Sequence, residues 1–261
     1  MIQVKDLHVS FPNKAGELEE AVKGISFTIH DGDVMGIVGE SGSGKTQTAL
    51  AMAGLSPRRA VLSGQIILDG RDLMPLSRNE IRKVQGKEIS MVFQEPMTSL
   101  NPTMRIGRQV EEVLEIHTQL SKAERKELAL QALRDVELPG VETVYKKYPH
   151  EMSGGQRQRV MIASAIIGGP KLLIADEPTT ALDVTIQEEI LKLLKKLNQE
   201  KGMSILFISH DLRVIRKLCS RVAVMHHGYI VEEGAVEDVF LRPQDEYTKK
   251  LIDSIPVRRR R

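Results

Sequence analysis

The chain has 261 residues, ample for a buried core, and no repeat divides it, so one unit with subdomains is expected rather than two independent domains. Lys and Arg total 37 against 35 Asp and Glu, so no global field draws nucleic acid, and aromatics at 3% leave no basic groove with interleaved rings. The one cysteine, Cys219, excludes an intrachain disulfide and suits the cytosol; the N-terminus lacks a signal peptide's apolar core, and no apolar run approaches the ~18 residues of a membrane span.

Residues 2 to about 30 alternate apolar and polar positions, and residues 62–91 do so again around Gly-Asp turn signals, which predicts an antiparallel sheet. Between these stretches, Val34-Met35-Gly36-Ile37-Val38 is a short apolar, β-branched-rich run, and Gln47-Thr48-Ala49-Leu50-Ala51-Met52-Ala53 has helix-forming composition. The loop joining them reads Gly39-Glu40-Ser41-Gly42-Ser43-Gly44-Lys45-Thr46. A glycine-rich loop between a strand and a helix lets the backbone wrap an anion, with the N–H groups of the helix start turned toward it. In that setting Lys45 reaches β- and γ-phosphates and the Thr46 hydroxyl ligates Mg²⁺.

From residue 95 to about 168 the pattern is helical. Residues 105–117 carry apolar side chains at helical spacing, and Ser121-Lys122-Ala123-Glu124 is a capping box opening a helix through Leu133. Ser153-Gly154-Gly155-Gln156 stands at the start of a further helix reaching Ile167, where the serine taken alone is an ordinary cap. Lys171-Leu172-Leu173-Ile174-Ala175 then reads as a buried strand ending in Asp176-Glu177-Pro178 at the carboxyl edge of a parallel sheet. Beside a phosphate loop, Asp176 holds Mg²⁺ through a water and Glu177 polarises the attacking water; without the loop the pair would read as a turn cap. Met203-Ser204-Ile205-Leu206-Phe207-Ile208 is another strand, residues 211–219 a helix, and residues 221–233 a hairpin turning at His227-Gly228. His8, His30, His117, His226 and His227 read as surface or turn residues without metal-ligand spacing, and the four arginines at 258–261 as a solvated tail or a lipid-headgroup contact.

With these motifs the chain, from Ile2 to about Pro256, resembles the nucleotide-binding subunits of ATP-binding-cassette (ABC) transporters. The resemblance implies an α/β P-loop NTPase: a mostly parallel core sheet, an antiparallel β subdomain and a helical subdomain carrying the signature. It places the core and β subdomain at 1–94 and 169–235, the helical signature subdomain at 95–168 and a tail at 236–261, all in one cassette. It also implies ATP and Mg²⁺ as ligands. By the same resemblance Phe11 stacks on adenine, and Gln94 is a hinge glutamine touching Mg²⁺ and the nucleophilic water. Ser153, Gly154, Gly155 and Gln156 meet the γ-phosphate bound by a second, facing subunit. Asp183, in Ala181-Leu182-Asp183, lies along the dimer seam, and His210 is the switch histidine on the γ-phosphate. Met152 stands where the family's commonest form has Leu, a near-isosteric exchange of little consequence.

Four long stretches resemble the oligopeptide, dipeptide and nickel importer branch in particular: residues 39–45, 93–102, 148–153 and 176–185, with the tail from Glu246-Tyr247-Thr248 to Ser254-Ile255-Pro256. The branch implies a subunit peripheral to the cytoplasmic face of the membrane, working with two permeases, a paralogous second ATPase and, indirectly, an extracytoplasmic solute-binding protein. Peptides are the expected cargo, with nickel or another metal complex as the alternative. Homodimerisation is permitted, since no catalytic element looks degenerate. Many peptide-importing members continue into a cysteine-containing extension associated with an iron–sulfur cluster; this chain carries no cysteines there, so either a shorter variety or a truncation is expected. Of the other classes that use the same engine, chromosome-type members insert coiled coils and ribosome-type members carry two cassettes, neither of which this sequence has. A kinase using the phosphate loop would leave the Ser153 signature without purpose.

Overall fold

A computed structural model of the chain describes residues 1–94, 99–180 and 182–254. Residues 95–98, Ala181 and residues 255–261, with the tail end Ile255-Pro256 and the four arginines, lie outside them. The chain divides into two compact units, one of residues 1–77 and 204–261, the other of residues 78–203.

In the first unit, β1 (Ile2–Pro12) lies antiparallel between β2 (Leu18–Ile29) and β4 (Val61–Leu68), and the short β5 (Arg71–Asp72) completes that sheet. The buried side chains of β1 change phase, from Ile2 and Val4 to Leu7 and Val9, because the register shifts between Val4 and Leu7. The extra residue keeps both apolar sets on the core face. A second set of strands carries the parallel pairing. β3 (Val34–Val38), buried throughout, pairs in parallel with β8 (Ser204–Ser209) on one side and β9 (Arg221–His226) on the other. Continuous rather than alternating burial marks strands covered on both faces. β10 (Tyr229–Ala235) closes the expected hairpin, turning at His227 and Gly228. The helices of this unit are α1 (Lys45–Met52), Leu212–Leu218, Val236–Leu241 and Glu246–Asp253; the last three become α8, α9 and α10 once the second unit is counted.

In the second unit, α2 (Arg78–Val84) precedes β6 (Ile89–Val92), which pairs in parallel with β7 (Leu172–Asp176). This departs from the antiparallel reading of residues 62–91, which holds only through β5. Ile89, Ser90 and Val92 are all buried, so the apparent alternation was that of a short strand with both faces covered. Between these strands run α3 (Ile106–His117), α4 (Lys122–Asp135), α5 (Val141–Lys146) and α6 (Gly154–Ile166), with α7 (Val184–Lys201) after β7. The capping box at Ser121 and Glu124 forms as the sequence predicts, with the Ser121 N–H donating to the Glu124 carboxylate at 2.8 Å and the Glu124 N–H to Ser121 Oγ at 3.3 Å.

Candidate functional site

The register of β3 with β8 pairs Val38 with Ser209, so the loop after β3 and the residues after β8 leave the same edge of the parallel sheet. In this way the first unit brings Gly39, Ser41, Gly42, Ser43, Gly44, Lys45 and Thr46 to the edge where His210 and Asp211 emerge. Lys45 is buried, and its Nζ donates to the carbonyls of Gly39 and Glu40, each at 2.8 Å. The loop is thereby curled around its own lysine. Glycine is required at two points of this curl. A Cβ on Gly39 would stand 2.0 Å from the Met225 carbonyl, and Gly44, at φ +107, would press one to 2.5 Å from the Ala21 carbonyl. Gly44 is also the N-cap of α1 and supplies no side chain to its first N–H groups, the arrangement an anion can complete. Ser43 Oγ is buried without a hydrogen-bond partner among the described residues, a donor suited to a phosphate oxygen.

The loop is anchored from behind as well. Gly228, in the turn between β9 and β10, donates its N–H to the Ser43 carbonyl at 3.0 Å and accepts the Lys23 N–H at 2.9 Å. Following β8, Asp211 caps α8 (Leu212–Leu218) by accepting the Arg213 N–H at 2.9 Å. Burial works the other way, yet the Arg213 guanidinium and backbone N–H together hold the Asp211 carboxyl below the usual range. Phe11 lies half-buried near the end of β1, opposite Glu19, with the Arg59 guanidinium 6.0 Å from its ring centroid.

The second unit repeats the logic with carboxylates. Its register pairs Val92 with Ala175, so Gln94 and the Asp176-Glu177 pair leave one edge of the two parallel strands. Asp176 is buried at the end of β7. Glu177 follows at φ +46, a left-handed conformation uncommon for a side chain of this kind. Its Oε2 accepts from Gln94 Nε2 at 3.0 Å and from Thr180 Oγ1 at 2.9 Å. Thr180 is a partner the sequence reading missed, since nothing in its local pattern distinguishes it from any other hydroxyl after a Pro.

Ser153 caps α6, accepting the Gln156 N–H at 3.3 Å, while Gln156 Oε1 accepts the Ser153 N–H at 3.1 Å. The routine serine cap of the sequence reading is thus a reciprocal box, because a glutamine stands at the third helical position. Gly154 and Gly155 form the first turn between them. Asp183 caps α7 through the Ile186 N–H at 2.9 Å. No cluster of three or more His, Cys, Asp or Glu that could hold a metal occurs among the described residues.

The model of the ABC transporter family matches residues 22–180. The oligopeptide transport ATP-binding protein OppD of Bacillus subtilis is 49% identical over 98% of this chain and 72% of its own length. The dipeptide transport ATP-binding protein DppD of Lactococcus lactis is 46% identical over 98% of this chain and 74% of its own. Among solved structures, a dimeric post-hydrolysis ATP-binding cassette bound to ADP and Pi superimposes with a TM-score of 0.80 at 31% identity, covering 90% of this chain and 99% of that one. A phosphate loop between strand and helix, a strand-end Asp-Glu pair and this breadth of similarity lead to one conclusion: the chain belongs to the ABC transporter family, as an ATP-binding subunit that hydrolyses ATP.

Proposed function

We propose that the chain powers an importer for peptides or a related small solute, binding ATP with the residues 39–46 loop and hydrolysing it with Glu177. The observation that carries the catalytic part is the Glu177 carboxylate, held by Gln94 and Thr180 at the end of a buried parallel strand. Two donors fix the direction of its lone pairs, so the carboxylate is oriented to polarise a water rather than left to rotate. Lys45 meets the β- and γ-phosphates, the N–H groups at the start of α1 and the Ser43 hydroxyl complete the cradle, and Phe11 stacks on the adenine.

Thr46, Asp176 and Gln94 would hold Mg²⁺, each supplying an oxygen of the kind that ion prefers. Mg²⁺, when bound, neutralises charge on the phosphates. His210 contacts the γ-phosphate and keeps the water in line with Glu177. Ser153, Gly154, Gly155 and Gln156 act on ATP held by a second subunit, and Asp183 lies at the seam between the two. One cassette at 1–261, with a helical signature subdomain at 95–168, carries all of these parts.

The cargo reading rests on similarity to oligopeptide and dipeptide transport ATP-binding proteins along nearly the whole chain. No helix among the described residues is long and apolar enough to cross a membrane. On the similarity to peptide transport ATP-binding proteins, two permeases do the membrane-spanning work, with this subunit peripheral on the cytoplasmic face. A paralogous ATPase is the partner subunit, and a solute-binding protein delivers the cargo. The test is to trap the tagged Glu177→Gln chain with MgATP in its native cell, solubilise the membranes and identify co-purifying proteins by mass spectrometry. Two permeases and a second ATPase are expected, together with a solute-binding protein whose ligand names the cargo. Recovery of only soluble, ribosomal or DNA-bound partners would remove the transport reading and leave the ATPase.

A further inference from the structure

The phosphate loop is gripped at its entrance by the far end of the first unit. Glu232 of β10 accepts the N–H groups of Gln244 and Asp245 on its two oxygens, at 2.9 and 3.1 Å, and so fixes the chain just ahead of α10 (Glu246–Asp253). Asp245 then caps α10 by accepting the N–H groups of Tyr247 and Thr248, at 2.8 and 3.4 Å. Thr248 is fully buried, which seats the first turn of the helix. Tyr247 is held by these contacts with its ring flat on His226, the last residue of β9, at a centroid separation of 3.8 Å and an interplanar angle of 9°. Its hydroxyl accepts the Glu40 N–H at 3.0 Å.

Glu40 is no incidental target. Its carbonyl and that of Gly39 both accept from Lys45 Nζ, so the Gly39–Glu40 segment sets where the lysine head sits. Tyr247 holds the N–H side of the same segment whose carbonyls hold the lysine, and the Met225 carbonyl closes in on Gly39 from β9. A loop rich in glycine loses much entropy when it orders around a ligand, and a fixed hydrogen bond at its entrance settles part of that cost beforehand.

We propose that Tyr247, backed by the ring of His226, is a positioning residue for the phosphate loop: it holds the Gly39–Glu40 segment, and through it Lys45, in the arrangement that receives the phosphates of ATP. The inference rests on the reading that this loop binds ATP. Tyr247 touches no nucleotide itself; its effect is on binding and is equal in ground and transition states, which places it in KM rather than kcat.

The test uses the full chain with its native partners. Tyr247→Phe removes the hydroxyl and keeps the ring on His226. One neutral hydrogen bond corresponds to about a three- to tenfold rise in KM for ATP, with kcat within about twofold of wild type. The melting temperature measured without nucleotide is expected to stay within about 2 °C of wild type, since a single exposed-side hydrogen bond is lost. His226→Ala, which withdraws the backing ring, raises KM in the same direction, and His226→Phe restores it by restoring a stacked ring. A wild-type KM in both Tyr247→Phe and His226→Ala overturns the proposal, as does a fall in kcat at unchanged KM. A His226→Phe chain as impaired as His226→Ala also overturns it. Absence of ATP turnover in the wild-type chain with its partners would instead remove the underlying reading of the loop, and the two failures are thus distinguishable.

Discussion

Gln94 Nε2 and Glu177 Oε2 stand 3.0 Å apart, joined although 83 positions separate them in sequence. The parallel register of β6 and β7 brings them together, placing Gln94 beyond Val92 and Glu177 beyond its partner Ala175. On the proposed reading, with Gln94 as hinge residue and Glu177 as catalytic carboxylate, this bond would couple movement of the Gln94 loop to the geometry of hydrolysis.

Glu177→Gln preserves the shape of the side chain and its acceptor for Thr180 while removing the carboxylate proposed to polarise water. ATP binding is expected within about threefold of wild type, with turnover lower by about 10²–10⁴. Nucleotide binding and phosphate release on the same preparation check it; turnover within threefold of wild type would dismiss the assignment of Glu177.

Gln94→Ala withdraws a donor on Glu177 and one proposed Mg²⁺ ligand. At saturating MgATP the rate is expected to fall at least about tenfold, because misorienting a catalytic group by even ~1 Å is costly. Gln94→Glu would place a second carboxylate against Glu177 and is expected to be no better than the alanine variant. Phosphate release at saturating nucleotide distinguishes these outcomes from a wild-type Gln94→Ala rate, which would detach the amide from catalysis.

Among the described residues, a Cβ on Gly154 would meet nothing closer than Leu182 Cδ2 at 3.9 Å, whereas one on Gly155 would come within 3.0 Å of Ile186 Cγ2. The described residues therefore impose no steric need for glycine at residue 154. Gly154→Ala is expected to melt at the wild-type temperature or slightly above, since alanine favours a helix by about 1 kcal/mol over glycine. If a second subunit's phosphate approaches this turn, the same change reduces ATP turnover at least about tenfold, the factor that ~1.4 kcal/mol represents. Unchanged turnover would mean that nothing approaches Gly154 in the working dimer.

Ion pairs tie α4 to α7 within the second unit. Lys196 Nζ lies 2.9 Å from Glu137, just past the end of α4, and Lys201 Nζ lies 2.6 Å from Asp135. Lys196 holds the Glu137 carboxyl below its usual range; for Asp135 burial acts in the opposite sense, and the Lys201 and Gln131 hydrogen bonds outweigh it. A carboxylate depressed in the folded state stabilises above its unfolded pKa, ~3.9 for Asp and ~4.3 for Glu, and loses that contribution as pH falls through the folded value. Lys201→Met is accordingly expected to lower the melting temperature at neutral pH and to converge with wild type as pH falls through the lowered folded value of Asp135. Melting curves across that range decide it, and a constant difference at every pH would show that the lysine contributes packing rather than charge.

The capping box on α4 is a purely local device. Ser121→Ala leaves the Glu124 N–H without its acceptor and is expected to cost about 1 kcal/mol of stability with ATP turnover unaffected. Denaturant unfolding checks the first part and phosphate release the second.

The amino-acid order by itself determined the parts whose physics is local. Glycines at fixed spacing between an apolar run and a helix former define the loop at 39–46, since only that backbone curls around a lysine. Apolar runs ending in acids define β7, and a serine three residues ahead of Glu124 or Gln156 defines a helix start. Tertiary structure alone decided what lies across the fold. β6 proved parallel because its neighbour is β7, a matter of topology that a short apolar run leaves open. Tyr247 and His226, unremarkable as local text, reach Glu40 from 207 and 186 positions along the chain, the second through the ring of the first. Local spacing governs which backbone conformations a segment can adopt; which distant side chain its N–H then meets is set by the packing of strands and helices that the segment does not itself contain.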